Sequence, residues 1–204
     1  MSKLFSFVVG AACLLASTLG LVSAWAEGTA VRVRGTVVSL DGSKLVVHTK
    51  DGKDVTVSLK DKYAALAVVK SSMDEIKQGT FIGTATEPQP DGSLRALEVV
   101  VFPDSLRGFG EGHYPWDLGP KSMMTNATIA QKVQKVDGET VDVTYKGGEK
   151  KITIPDNVPI VGLVPALPSD IEPGAHVVVP TEKQTDGTLL AGAVLFGKGV
   201  VPPM

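Results

Sequence analysis

Cysteine is almost absent from this 204-residue chain, and the single one, Cys13, sits in an apolar stretch near its start. A fold without thiol pairs cannot be stapled by disulfides, so its hydrophobic core must suffice. Charge of one sign is also missing: 20 Lys and Arg face 22 Asp and Glu, with no long run of either. That balance leaves no electrostatic footprint for nucleic acid or an anionic membrane. Histidines number three. The chain has no His-Glu-x-x-His motif and no Gly-x-Ser-x-Gly elbow, which removes two common hydrolytic signatures.

What is present begins with an export signal. Lys3 is the only charge before Glu27, and Leu4 to Ala26 is uncharged and largely apolar. Ala24-Trp25-Ala26 closes this run with the small-x-small pattern that a signal peptidase accepts. Residues 1–26 are therefore expected to be a Sec-type bacterial signal peptide cleaved after Ala26, delivering the remainder to the periplasm. An uncleaved anchor is the rival reading, disfavoured by the Ala-x-Ala site and the strand pattern that starts just beyond it. Cleavage leaves 178 residues with 19 basic and 22 acidic side chains, no cysteine and no further membrane span.

The exported part repeats itself. Asp41-Gly42 recurs as Asp137-Gly138, Gly79 as Gly174, and Asp91-Gly92 as Asp186-Gly187, at offsets of 95 or 96. Val31 to Val37 alternates apolar and polar residues, as do Leu45 to Thr49 and Val55 to Leu59, which is the pattern of half-buried strands. Asp41-Gly42 and Asp51-Gly52 supply the hairpin turns between them. Ser72-Met73-Asp74-Glu75 has the form of a capping box, predicting a short helical turn before Gly79. Strands are expected again from about Thr80 to Glu87 and from Leu94 to Phe102. The second copy predicts the same order, with irregular proline-rich chain from Pro155 to Pro173. Three strands, a short crossover and two more strands is the order of an OB-type barrel. The expected fold is all-β: two tandem five-stranded OB-like barrels, at 27–103 and 127–204.

Residues 104–126 form the linker between them. Gly108, Gly110, Gly112, Pro115, Gly119 and Pro120 punctuate it too heavily for regular structure. Of the eight aromatic residues in the exported part, Phe109, Tyr114 and Trp116 fall here within eight positions. Aromatic side chains are costly to leave in water, so the linker is expected to be ordered and packed.

The duplicated strand order, the export signal and the linker His113-Tyr114-Pro115-Trp116-Asp117, followed by Ser122-Met123-Met124-Thr125-Asn126, resemble an uncharacterised group of bacterial envelope proteins with OB-like domains of unknown function. Proteins of this kind are sometimes labelled metal-transport permeases. A permease needs several spanning helices, and this chain has at most one. The resemblance carries no catalytic residue over, and no cofactor is expected on the leading reading.

The candidate contact residues are Phe109, His113, Tyr114, Trp116 and Asp117, facing an envelope protein or glycan. A second reading takes His113, Asp117, Met123 and Met124 as ligands for a copper, zinc or nickel ion, since imidazole and thioether donors suit soft or borderline cations. One histidine is few for such a site, which usually converges three or four ligands. The bland alternative is that Tyr114 and Trp116 plug the seam between barrels while His113 bonds to the backbone. His48 and His176 read as surface residues. Gly108-Phe109-Gly110-Glu111-Gly112 lacks the following helix that a phosphate loop requires. Asn126-Ala127-Thr128 fits a glycosylation acceptor, relevant only on a eukaryotic route. The expected function is non-enzymatic binding or scaffolding; an unrecognised hydrolase is the remaining alternative.

Overall fold

The computed structural model describes residues 29–135 and 138–203. The expected signal peptide at 1–26, its cleavage point and Asp137 of the predicted turn lie outside the described residues. Among the described residues no helix is long and apolar enough to cross a membrane.

Among the described residues twelve strands carry the fold. β1 (Thr29–Asp41), β2 (Lys44–Thr49) and β3 (Asp54–Lys70) form a meander, followed by β4 (Phe81–Pro88) and β5 (Leu94–Val101). The short β6 (Gly112–Pro115) lies in the linker. The second copy supplies β7 (Met123–Lys135), β8 (Gly138–Tyr145), β9 (Gly148–Ile154), β10 (Ile160–Ala166), β11 (His176–Lys183) and β12 (Leu189–Gly197). The predicted alternation holds where one face is buried: Val33, Val37, Leu45, Val47 and Val57 point inward. At the first turn Gly42 has φ +55° and open space around it, so backbone angle and not crowding demands glycine there.

The all-β class and the five-stranded barrels follow the sequence; the ownership of the strands does not. The first barrel closes in the order β1–β2–β3–β12–β11–β1, with β3 and β12 parallel. The second closes as β7–β8–β9–β5–β4–β7, with β5 and β9 parallel. Each barrel thus takes three strands from one copy and two from the other. The boundaries 27–103 and 127–204 do not coincide with the barrels, and the expectation that each copy closes on itself is corrected. Exchange of identical elements is a low-cost route to association between protomers, and here it occurs inside one chain.

The physical device is the long β3. Instead of turning back after Leu59, it runs on to Lys70 and pairs antiparallel with β10. In that ladder Val68 faces Leu163, its own counterpart at the offset of 95 that separates Gly79 from Gly174. Leu66 faces Pro165, and Val161, the counterpart of Leu66, faces Lys70. The register is that of a two-fold axis passing between Val68 and Leu163. Pro165 is tolerated because β5 pairs with β10 only over Ile160 to Gly162, leaving the rest of β10 as an edge. The proline-rich stretch expected to be irregular therefore contains a strand.

Burial on both faces explains why Tyr63 to Val69 lacks alternation. Ala65 and Ala67 enter the core of the first barrel, with Val177, Val179, Val194 and Phe196. Leu66 and Val68 point the other way, into a seam cluster with Val100, Val161, Leu163, Val178 and Leu195. The second barrel has its own core, including Ile82, Ile129, Val143 and Ile152. At about 1.5–3 kcal/mol for each fully buried large aliphatic side chain, the seam cluster ties the barrels together strongly. The predicted turn before Gly79 exists as a 3-10 turn, Met73–Glu75, but Ser72 makes no side-chain cap bond. Thr80 Oγ1 donates to the Glu75 carbonyl instead.

Candidate functional site

The linker is held at several points along its length. β6 pairs with the start of β7, from Gly112 opposite Asn126 to Pro115 opposite Met123. The Trp116 N–H donates to the Ser122 carbonyl at 2.8 Å, and the Lys146 N–H donates to Glu111 Oε1 at 2.9 Å. An expectation of order in the linker is met, and part of it is regular strand.

Strand alternation then separates the predicted site residues. His113 shares a face with Thr125, Nδ1 lying 2.9 Å from Thr125 Oγ1, and its ring lies 6.2 Å from that of Tyr145. Burial lowers its pKa, with Lys150 adding to the effect. Tyr114 and Met124 occupy the opposite face and pack on the seam cluster. Asp117 is taken by Arg34 in a two-pronged pair, both contacts at 2.7 Å. Met123, two residues from Thr125, falls on the His113 face, but Met124 and Asp117 do not join it, so the set is not brought together. Among the described residues no three His, Cys, Asp or Glu side chains group so as to hold a metal ion. His48 and His176 flank Thr36 on either side of β1 and both line one surface depression; His48 Nδ1 lies 2.7 Å from Asp54 Oδ1.

The aromatic residues meet where the strand exchange leaves a seam. Tyr114 and Trp116 stand 6.2 Å apart, and Phe102 lies between Phe81 at 5.2 Å and Phe109 at 6.4 Å. Arg32 stacks over Trp116 with its guanidinium carbon 3.5 Å from the ring centre, a cation–π contact. Arg32 also lies 3.8 Å from Asp117. Arg32 and Arg34 reach the linker because their inward neighbours Val33 and Val37 fix the outer face of β1. The Arg34 hydrogen bonds hold the Asp117 carboxyl below its ordinary range. Burial raises the Tyr114 phenol, keeping it protonated.

Arg32, Phe102, Phe109, Tyr114 and Trp116 wall a cleft of about 250 Å³. Its floor straddles the two-fold: Gly83 and Val178 are counterparts, as are Val100 and Leu195, and all four line it. Its lid is the linker, through Phe109, Gly110, Tyr114 and Trp116. Asn126 stands at its polar end, 6% exposed, with Nδ2 donating to the Phe109 carbonyl and the Tyr114 hydroxyl, each at 3.2 Å. Asn126 Oδ1 and Trp116 Nε1 are buried without a hydrogen-bond partner. Glycine at 83 is what makes room, since a Cβ there would lie 2.6 Å from Asn126 Oδ1 and 2.9 Å from Phe102. Asn126 is thus an interior residue and not a surface glycosylation acceptor.

Beside this cleft β5 carries Glu98, 2% exposed, with Oε1 unpaired. Burial pushes its carboxyl up to about 7, Arg34 pulling it back and Asp117 adding to the rise. Arg32, Arg34 and Glu98 were not singled out from the sequence, and Asn126 stood out only as a glycosylation acceptor and as part of the stretch that follows the linker. Two arginines spaced two apart on a half-buried strand, and a carboxylate inside the apolar run Leu94 to Phe102, were the available signals.

Thr125 beside His113 is 1% exposed, so this hydroxyl–imidazole pair offers no accessible nucleophile. What the arrangement can do is enclose a small molecule, or receive a projecting side chain, against aromatic walls. No family model matches the chain, nor does any curated protein or solved structure.

Proposed function

We propose that this chain is an exported periplasmic protein that binds or scaffolds an envelope component without catalysing a reaction. The contact region is the linker side of the seam: Phe109, Tyr114 and Trp116 over the cleft, with Asp117 at its rim. The observation that carries this reading is the lid itself. A spacer needs only length, whereas this segment builds an aromatic wall and leaves buried polar atoms of Asn126 and Trp116 unpaired. Buried polar groups in folded proteins nearly always find partners, so an unpaired one in a cleft suits a ligand. The resemblance to envelope proteins with OB-like domains agrees with this reading.

The test uses Trp116→Phe, which keeps an aromatic wall and removes the indole. Wild-type protein is expected to retain a defined periplasmic component on a column, and Trp116→Phe to lose it at an unchanged unfolding midpoint. Equal retention by both proteins removes the linker as the contact surface. Turnover of ester, phosphoester or glycoside substrates, abolished by a point change in the chain, overturns the non-enzymatic part.

A further inference from the structure

With the linker side taken as the binding region, on which the assignment of an occupant rests, the chemistry of the cleft specifies more than an unidentified contact. Apart from Arg32 and Asn126 the walls are apolar or aromatic, so the occupant must be mostly apolar. Its size is set by the volume: a dry cavity of about 150 Å³ holds benzene, so about 250 Å³ holds roughly ten heavy atoms. Flanking rings of Phe102, Phe109, Tyr114 and Trp116 favour a flat molecule that stacks or meets their edges.

The polar end adds a second constraint. Both Asn126 amide protons are directed inside the protein, to Phe109 and Tyr114, and only the buried acceptor Oδ1 is left without a partner. Trp116 contributes the opposite sense, an indole N–H without an acceptor. One donor and one acceptor on the occupant would satisfy both. Net charge is not called for: the one cation lining the cleft, Arg32, already stacks on Trp116 and lies near Asp117. A carboxylate or phosphate would place oxygens against Asn126 Oδ1, which repels them.

We propose that the seam cleft binds a neutral, planar aromatic molecule of roughly ten heavy atoms bearing one hydroxyl-type group that both donates and accepts. Such a hydroxyl donates to Asn126 Oδ1 and accepts from Trp116 Nε1. The linker residues give the site its lid, and the two-fold related strands give it an apolar floor.

Three bicyclic probes separate the terms on the unaltered exported chain: 2-naphthol, naphthalene and 2-naphthoate. Calorimetry is expected to show saturable 2-naphthol binding, about tenfold tighter than naphthalene because naphthalene leaves the buried acceptor unpaired. Binding of 2-naphthoate is expected to be weaker than that of either. The Trp116 Nε1–H resonance should shift on saturation with 2-naphthol. Filling the cleft with Leu195→Phe is expected to abolish binding; Val178→Met serves the same purpose if the first variant fails to fold. Equal affinity for 2-naphthol and naphthalene overturns the hydroxyl assignment, and preference for 2-naphthoate overturns neutrality. No binding of any probe overturns the small-molecule site, while retention of an envelope component through Trp116 would leave the broader reading standing.

Discussion

The strands and the linker of this molecule were built under different rules. Every strand except β6 has a counterpart one repeat away, and the ladder at the centre pairs Val68 with its own image, Leu163. The linker is not matched by the described residues 198–203 after β12, among which Pro202 is buried. Two-fold symmetry produces an apolar seam whose sides are alike, such as Val100 and Leu195. The unrepeated segment breaks that likeness on one side with an aromatic lid, Asn126 below it and Arg32 above Trp116. The strands matched at the constant offset build the scaffold, and the unmatched segment lines the cleft with aromatic rings.

The sharpest way to break this comparison is to cut the linker. A protease site inserted between Pro120 and Lys121 severs the covalent connection between the two copies. Because each barrel needs strands from both, the pieces are expected to stay together through gel filtration and to part only in denaturant. Tandem barrels closed within each copy would separate into two folded bodies, and that outcome would overturn the strand exchange.

Much of this architecture was legible beforehand, and the reason it stopped where it did is physical. Alternation in Val31 to Val37 and the Asp-Gly turns are local signals, and they placed strands and hairpins. The exchange is not local. β4 and β5 and their counterparts β11 and β12 present similar inward residues, such as Ala96 and Ala191 or Val99 and Val194, so the local pattern does not choose between the two closures. One trace of it stood in the sequence: Tyr63 to Val69 is apolar on both faces, which a strand closing a single small barrel has no reason to be. The linker's order followed from its aromatics, yet its partners did not, because Arg32, Arg34 and Glu98 are distant in sequence. Alternation alone would have parted His113 from Met124, had β6 been recognised as a strand.

Glu98 tests whether the seam is tuned as well as packed. In the folded chain its carboxyl keeps its proton to about pH 7, against an ordinary value of 4.5. Between those values the folded state binds more protons than the unfolded one. Stability from this group is therefore full below pH 4.5 and falls as pH rises through 7, by about 3 kcal/mol. Glu98→Gln is expected to flatten that fall, with urea midpoints at about pH 5 and pH 8 drawing together. An unchanged pH profile would place the carboxyl in water.

The lid itself is worth less. Trp116→Ala removes ring packing and the Arg32 stack from a half-buried position, and is expected to lower unfolding free energy by about 2 kcal/mol. Val68→Ala, in the duplicated seam, removes only two methyl groups but leaves a closed cavity. If the Trp116 change proved far larger than that of Val68, the linker would be core and not lid.

Asp117 gives the smallest effect and the finest discrimination. Its carboxylate is 41% exposed, so the pair with Arg34 is screened by solvent and is worth about 0.5 kcal/mol by the usual measure of surface pairs. Asp117→Asn keeps the shape and removes the charge. Arg34 would then be free to act more strongly on Glu98, while the Asp117 charge that raises the Glu98 carboxyl would be gone. Both changes lower the Glu98 value towards 4.5, so the pH-dependent loss of stability is expected to become smaller and to end at lower pH, while stability at about pH 5 hardly moves. A shift in that direction ties the rim of the lid to the buried carboxyl on the repeated strand; no shift would mean that linker and scaffold act independently.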